Sequence, residues 1–245
     1  MKISPPLEQA TLITRYKRFF ADIRLSNQSI FTVHCPNTGS MRNCLVAESN
    51  CWFSRSNDPK RKLKGTLEIT TTPSGHKVGV NTNRPNKLVK EAIENGTITE
   101  LQGYQTVQTE VRYGEENSRI DLLLSDHKED RSKLCYIEVK NVTLEADRDP
   151  TLLRFPDAIT SRGVKHLREL QLMVDQGHRA VLFFCVQHSG AQKVTAAADI
   201  DPLYAKTLQA AQQNGVEILA YGCRLQPDEI VITRKLTFNR QEIID

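Results

Sequence analysis

The residues best suited to chemistry are Asp121, which follows Ile120, and the triplet Glu138-Val139-Lys140. In the strand expected over Leu134–Asn141, alternate side chains face opposite sides: Cys135, Ile137 and Val139 form an apolar face, while Tyr136, Glu138 and Lys140 share the other. A carboxylate and an ammonium thus stand two residues apart on a strand that otherwise reads as buried, where either charge alone would be costly. The preceding strand candidate, Arg119–Ser125, carries Asp121 between Ile120 and Leu122. The connection Asp126–Arg131 is short enough for a hairpin, which sets Asp121 roughly opposite Glu138. Two neighbouring carboxylates repel unless something positive lies between them. A divalent cation, Mg²⁺ or Mn²⁺, answers that through oxygen ligands, with Asp121 and Glu138 as the metal ligands. Metal-dependent phosphodiester hydrolysis needs this set: the ion polarises the phosphate and acidifies a water, and Lys140 positions that water or stabilises the developing charge. A buried Glu138–Lys140 salt bridge is the non-catalytic alternative.

Other side chains could join this centre. The pattern predicts a helix over Pro85–Asn95 with Leu88, Val89, Ala92 and Ile93 on its apolar face. Glu94 points nearly opposite that face, whereas Glu91 lies at its flank and is the candidate third acid. A second helix, Thr160–Gln176, turns Val164, Leu167, Leu170 and Val174 to the core and leaves Arg162, Lys165, His166 and Glu169 on other faces. Arg162, Lys165 and His166 form a basic cluster suited to backbone phosphates. His166 also has the chemistry of a proton carrier, with an ordinary helix-surface histidine as the alternative.

The elements that hold these residues read α-β-β-β-α-β-α-β from residue 85 onward. The remaining strands are Thr106–Tyr113, Arg179–Gln187 (apolar enough to be covered on both faces) and Val216–Tyr221, and a third helix spans Pro202–Asn214. That order implies a mixed sheet between helices. An aspartate on the second strand and Glu-x-Lys on the third match the frame of restriction-endonuclease-like, PD-(D/E)xK folds. Before residue 82 the pattern is all β: Leu12–Arg24, Ile30–His34, Cys51–Arg55, Leu67–Thr71 and Lys77–Asn81 suit a small OB-type barrel. The expected organisation is therefore two domains, 1–82 and 83–245.

At 245 residues the chain needs no covalent staple to hold a core, and its 39% hydrophobic and 25% charged residues are ordinary for a globular protein. The longest apolar run, Ala180–Val186, is too short to span a bilayer, so no membrane partner is expected. Charge is uneven. Residues 1–80 carry 12 Lys+Arg against 5 Asp+Glu, whereas residues 81–245 carry 21 against 24. A basic barrel is the part that would meet a polyanion. Within it, Arg15-Tyr16-Lys17-Arg18-Phe19-Phe20 interleaves cations with rings, and Lys60-Arg61-Lys62-Leu63-Lys64 adds further charge. Arg15, Lys17, Arg18 and Arg61 are the candidate nucleic-acid contacts, to single- or double-stranded DNA and, on the weaker reading, to RNA.

Six cysteines form no C-x-x-C pair, and Met1-Lys2-Ile3-Ser4-Pro5-Pro6 is no export signal. Reduced thiols in a cytoplasmic protein are expected. His34, Cys35, Cys44 and Cys51 match no standard zinc spacing.

The stretches Arg15–Phe19, His34-Cys35-Pro36-Asn37-Thr38-Gly39-Ser40-Met41, Ser118-Arg119-Ile120-Asp121, Tyr136–Leu144, Phe155-Pro156-Asp157-Ala158 and Arg162–Leu170 together resemble the sugar fermentation stimulation protein A (SfsA) family. The resemblance covers nearly the whole chain. It implies an OB-like N-terminal domain, a PD-(D/E)xK nuclease-like C-terminal domain, DNA binding without marked sequence preference, and a possible role in regulating maltose metabolism. It carries the family's acids onto Glu91, Asp121 and Glu138 and its lysine onto Lys140. Ala47-Glu48-Ser49-Asn50 departs from the family's usual Pro-Gly-Asp turn. The resemblance leaves a metal-dependent nuclease and a catalytically silent DNA-binding regulator both open.

Overall fold

The computed structural model describes residues 1–116 and 118–239. Its first third forms strands β1 (Glu8–Tyr16), β2 (Phe20–Arg24), β3 (Ile30–His34), β4 (Asn50–Arg55), β5 (Gly65–Thr71) and β6 (Lys77–Gly79). They run in the order β3-β2-β1-β4-β5-β6, and β3 also pairs with β5 through His34 and Thr66, so β1–β5 close into a barrel. Gly65 makes the closure possible: a Cβ there would stand 2.7 Å from Val33 and 2.8 Å from Phe31. Alternating residues fill the interior, among them Leu12, Ala21, Ile23, Val33, Phe53 and Leu67.

The stretch Leu12–Arg24, expected as one strand, is a hairpin. Lys17 and Arg18 turn the chain at φ 48° and 64°, and Tyr16 pairs with Phe20. A cation-rich turn without glycine or asparagine gives no sequence signal.

The rest of the chain forms α1 (Pro85–Glu94), β7 (Tyr104–Tyr113), β8 (Ser118–His127), β9 (Cys135–Val142), β10 (Leu144–Glu145), β11 (Leu152–Phe155), α2 (Ser161–Asp175), β12 (Arg179–Val186), β13 (Lys193–Ala196), α3 (Pro202–Gln213), β14 (Glu217–Leu225), β15 (Ile230–Lys235) and β16 (Thr237–Asn239). The main sheet has the order β15-β14-β12-β9-β8-β7, with β12 parallel to both neighbours. Strand β12 is buried on both faces, as expected of so apolar a run. Ala180, Leu182 and Phe184 pack with Leu167 and Leu170 of α2 and Leu208 of α3. Val181, Phe183 and Cys185 pack with Leu88, Val89 and Ala92 of α1. A second, four-stranded sheet, β10-β11-β13-β16, was not expected; its strands of two to four residues are too short to show a period. Among the described residues, no helix is long and apolar enough to cross a membrane.

Barrel and sandwich are fastened at several places. Residues 1–7 of the expected first unit pack on the second: Ile3 and Leu7 donate backbone N–H groups to Asp228 and Pro227, each at 2.8 Å. Strand β6 continues the contact, with Gly79 N–H on the Gln187 carbonyl at 2.8 Å and Ser189 N–H on that of Lys77 at 2.9 Å. Buried Glu68 of β5 accepts from Arg84 at 2.5 Å and from Asn81 at 2.8 Å in the linker. Asn117 and residues 240–245 of the expected second unit lie outside the described residues.

Candidate active site

The β8–β9 ladder pairs Leu122–Leu124 with Ile137–Cys135 and ends there. Carried one step further, that register sets Asp121 against Glu138. The β7–β8 ribbon rolls over at this point. Leu122 and Leu124 pack on the α1 face of the sheet while Ile120 packs on the α2 face, and Glu110 of β7 has φ 56°. The Val139 N–H therefore donates to Asp121 Oδ2 at 2.7 Å instead of to a strand carbonyl. Asp121 Oδ1 accepts from Asn86 Nδ2 of α1 at 2.8 Å.

Glu138 is 3% exposed. Its Oε1 accepts from Lys140 Nζ at 2.6 Å and contacts His166 Nδ1. Arg162 Nε donates to His166 Nε2 at a long 3.4 Å, and Lys140 Nζ lies 3.3 Å from His166 Nδ1. Glu138 Oε2 is buried without a hydrogen-bond partner, as is the Tyr113 hydroxyl. Helix α2 reaches this position because its N-cap, Thr160, accepts from Gly163 N–H at 2.9 Å. A Cβ at Gly163 would stand 2.7 Å from Thr160 and 3.0 Å from Tyr204 of α3, so only glycine allows this approach.

The electrostatics divide the two acids. Burial pushes Asp121 up to about 6, and the neighbouring Glu138 charge adds to this; the donors Val139 and Asn86 and the charge of Lys140 oppose it only in part. Burial also pushes Glu138 up, but Lys140 and His166 outweigh it and hold the carboxyl below its usual range. Burial, together with Glu138, Glu169 and Asp121, raises the Tyr113 phenol.

A divalent cation fits this chemistry. The donors are hard carboxylate oxygens, one of them buried and unpartnered, and burial and the Glu138 charge both disfavour the ionised form of Asp121, which a cation would favour. Among the described residues, no group of three or more His, Cys, Asp or Glu side chains is placed to hold a metal. Any ion here would rest on two carboxylates and complete its shell with water or substrate oxygens, and His34, Cys35, Cys44 and Cys51 form no zinc nest. All six cysteines are free and buried.

Of the residues singled out from sequence, Asp121, Glu138, Lys140, His166 and Arg162 come together. Glu91 does not join them: its Oε2 pairs with the Met1 amino group at 2.6 Å, and Asn86 is the α1 side chain on Asp121. Lys165 turns away, donating to the Glu116 carbonyl. His166 and Glu169, expected off the core face, are 6% and 2% exposed. Glu169 accepts from the backbone N–H groups of Glu115 and Glu116 at 3.1 and 2.6 Å. In the barrel, Arg15 spends its guanidinium on the carbonyls of Asn37 at 2.8 Å and Gly39 at 3.1 Å, and Arg61 donates to Thr66 at 2.9 Å. Lys17 and Arg18 stay exposed at the hairpin tip. Sequence reasoning missed Asn86 and Tyr113; a polar residue one turn before an apolar stripe and a tyrosine closing a strand carry no distinguishing signal.

Barrel and sandwich together define the class: an OB-type domain followed by an α/β domain of restriction-endonuclease type. The family descriptions "SfsA N-terminal OB domain" and "Sugar fermentation stimulation protein RE domain" match residues 13–80 and 83–229. The chain belongs to the sugar fermentation stimulation protein family. It is similar to the "Sugar fermentation stimulation protein homolog" of Saccharophagus degradans, 57% identical over 96% of this chain and 99% of the relative. The homolog from Pseudomonas savastanoi is 51% identical over 96% and 98%. A solved structure, that of Pyrococcus furiosus SfsA in complex with Ca²⁺, superimposes with a TM-score of 0.84 at 25% identity, covering 98% of each chain.

Proposed function

We propose that this protein is a divalent-metal-dependent DNA phosphodiesterase that binds DNA without marked sequence preference. The observation that carries this reading is the unpartnered, buried Oε2 of Glu138 beside Asp121, whose carboxyl is pushed up by burial and, after it, by the Glu138 charge. Asp121 and Glu138 would hold Mg²⁺ or Mn²⁺, and the Ca²⁺ complex of the archaeal relative supports a hard, oxygen-seeking ion. When bound, the ion supplies phosphate polarisation and an acidified water. Lys140, now hydrogen-bonded to Glu138, is within reach to orient that water or to meet the charge growing on the phosphate. His166 fixes Glu138 through Nδ1, and the exposed Arg162 offers its charge to a phosphate oxygen. Six unpaired thiols support a cytoplasmic location.

The second reading, a DNA-binding regulator without turnover, is favoured by the way Lys140 and His166 already neutralise one oxygen of Glu138. Incubating the pure protein with labelled single- and double-stranded DNA under Mg²⁺, Mn²⁺ and chelator separates the two. Cutting that requires metal and disappears in Asp121→Ala and Lys140→Ala establishes the enzyme. Binding without cutting under every condition establishes the regulator.

A further inference from the structure

Five large apolar side chains stand exposed among the described residues: Tyr16, Phe19, Ile30, Ile159 and Leu203. Four of them fall at the two ends of one connected path. Tyr16 and Phe19, 38% and 49% exposed, sit with Lys17 and Arg18 at the tip of the β1–β2 hairpin. Arg15 ties that tip to the Asn37–Gly39 loop, and Ser40 of the same loop donates to Asp157 Oδ2 at 2.7 Å, crossing from barrel to sandwich. Ile159 follows two residues later, 81% exposed. Thr160 N–H donates to Asp201 Oδ2 at 2.8 Å, which joins the starts of α2 and α3 and places Ile159 and the 62% exposed Leu203 on either side of the tie. Arg162, in the first turn of α2, then leads to His166 and Glu138. Where the loop crosses, an inter-domain cleft of about 90 Å³ is lined by Asn37, Thr82, Asn141, Arg154 and Asp157, and Asn141 directly follows Lys140.

We propose that this path is a track for single-stranded DNA, running from the ring-and-cation tip of the barrel across the Ser40–Asp157 bridge to the acidic centre, with Ile159 and Leu203 as an apolar knob for unpaired bases. The proposal deepens the DNA reading above by naming the strand state of the substrate. Duplex DNA presents phosphates to a protein and keeps its base faces stacked, so exposed rings and aliphatic side chains gain little from it. An unpaired strand offers one π-face per nucleotide, which rings take by stacking and apolar side chains by wedging, while Lys17, Arg18 and Arg162 follow the backbone. Ile30 lies on β3 at the opposite end of the hairpin, paired with Arg24, and has no part in the track.

The test is fluorescence anisotropy in chelator, so that binding is read without cutting. The probes are a labelled single-stranded DNA, its duplex, and a single-stranded RNA of the same sequence. Single-stranded DNA should bind the wild type more tightly than either other probe. Phe19→Ser and Ile159→Ser should each weaken single-strand binding by about tenfold, the scale of one lost stacking contact, and leave duplex binding nearly unchanged. Ile159→Phe should restore it, and Ile30→Ser, at a position 68% exposed, should match the wild type. All three positions are on the surface, and a thermal melt confirms that each variant folds. Duplex or RNA bound as tightly as single-stranded DNA, or Ile159→Ser behaving as Ile30→Ser, overturns the track. Because no cleavage is measured, failure of the nuclease reading leaves this result standing, and the reverse also holds.

Discussion

Asn86 Nδ2 donates to Asp121 Oδ1 at 2.8 Å, so helix α1 meets the acidic centre with an amide and not with an acid. Its hydrogen bond and that of Val139 N–H hold both carboxylate oxygens and lower the carboxyl against burial and Glu138. Asn86 is thus a positioning residue, acting through Asp121.

Asn86→Ala removes one of the two stabilising donors, so Asp121 should titrate higher still. Metal affinity should fall by about tenfold, the scale of a lost outer partner to a metal ligand. The acid limb of the cleavage–pH profile should move upward, a shift that a purely structural loss would not produce. Manganese titration and a pH profile of the variant check both.

Asp121→Asn should stabilise the protein at pH 8. A folded-state value of about 6 against an ordinary 3.8 means that the native state binds more protons between these limits, so this group lowers stability as pH rises from about 4 to about 6 and remains unfavourable above. Removing the charge should recover about 1–2 kcal/mol at pH 8 and almost nothing at pH 4. Denaturant melts of both proteins at the two pH values measure the difference. Wild-type stability should also rise on adding Mn²⁺ and that of the variant should not.

Glu138→Gln should behave oppositely, although the two acids face one another. Glu138 is held below its usual range by Lys140 and His166, and Lys140 is itself only 14% exposed. Neutralising the carboxylate strands that ammonium in a buried setting, at a cost of about 3 kcal/mol. A variant as stable as the wild type would show that Lys140 reaches water without Glu138.

Glu91→Gln should leave metal-dependent cleavage and Mn²⁺ affinity within about twofold of the wild type, because its carboxylate is paired with the Met1 amino group. A partly exposed ion pair of this kind contributes little to stability. Cleavage lost in this variant would return Glu91 to the site.

The contrast between Glu91 and His166 shows what a sequence of this kind makes legible. Strand alternation placed Glu138 and Lys140 on one face, and the short hairpin set Asp121 against them, because both follow from the two-residue period of a strand and from local chain length. The helix residues depended on which neighbour covers each face, which period alone does not state. His166 and Glu169 were assigned to outer faces and are buried, since α2 sinks toward β9 where Gly163 lets it close on α3. Helix periodicity alone makes Glu91 the inner acid, because the strap formed by residues 1–7, which brings the terminal amine to it, is invisible to that period. The barrel was legible as a set of short strands, yet its first hairpin was not, because Lys17 and Arg18 adopt positive φ without a turn signature.

Lys17→Ala with Arg18→Ala should reduce the salt dependence of DNA binding, whereas Arg15→Ala should act mainly on folding. Lys17 and Arg18 are exposed at the tip, and two released phosphate contacts lower the log–log salt slope on single-stranded DNA by about 1.4. Arg15 donates to the carbonyls of Arg18, Asn37 and Gly39, so its loss frees the loop that carries Ser40 onto Asp157. The Arg15 variant should therefore melt earlier and leave the slope nearly intact when affinity is measured well below its melting point. Salt titrations of the two proteins, each preceded by a melt, separate a cation that meets phosphate from one that holds the loop in place. Equal slopes for the double variant and the wild type would remove the hairpin tip from the DNA surface.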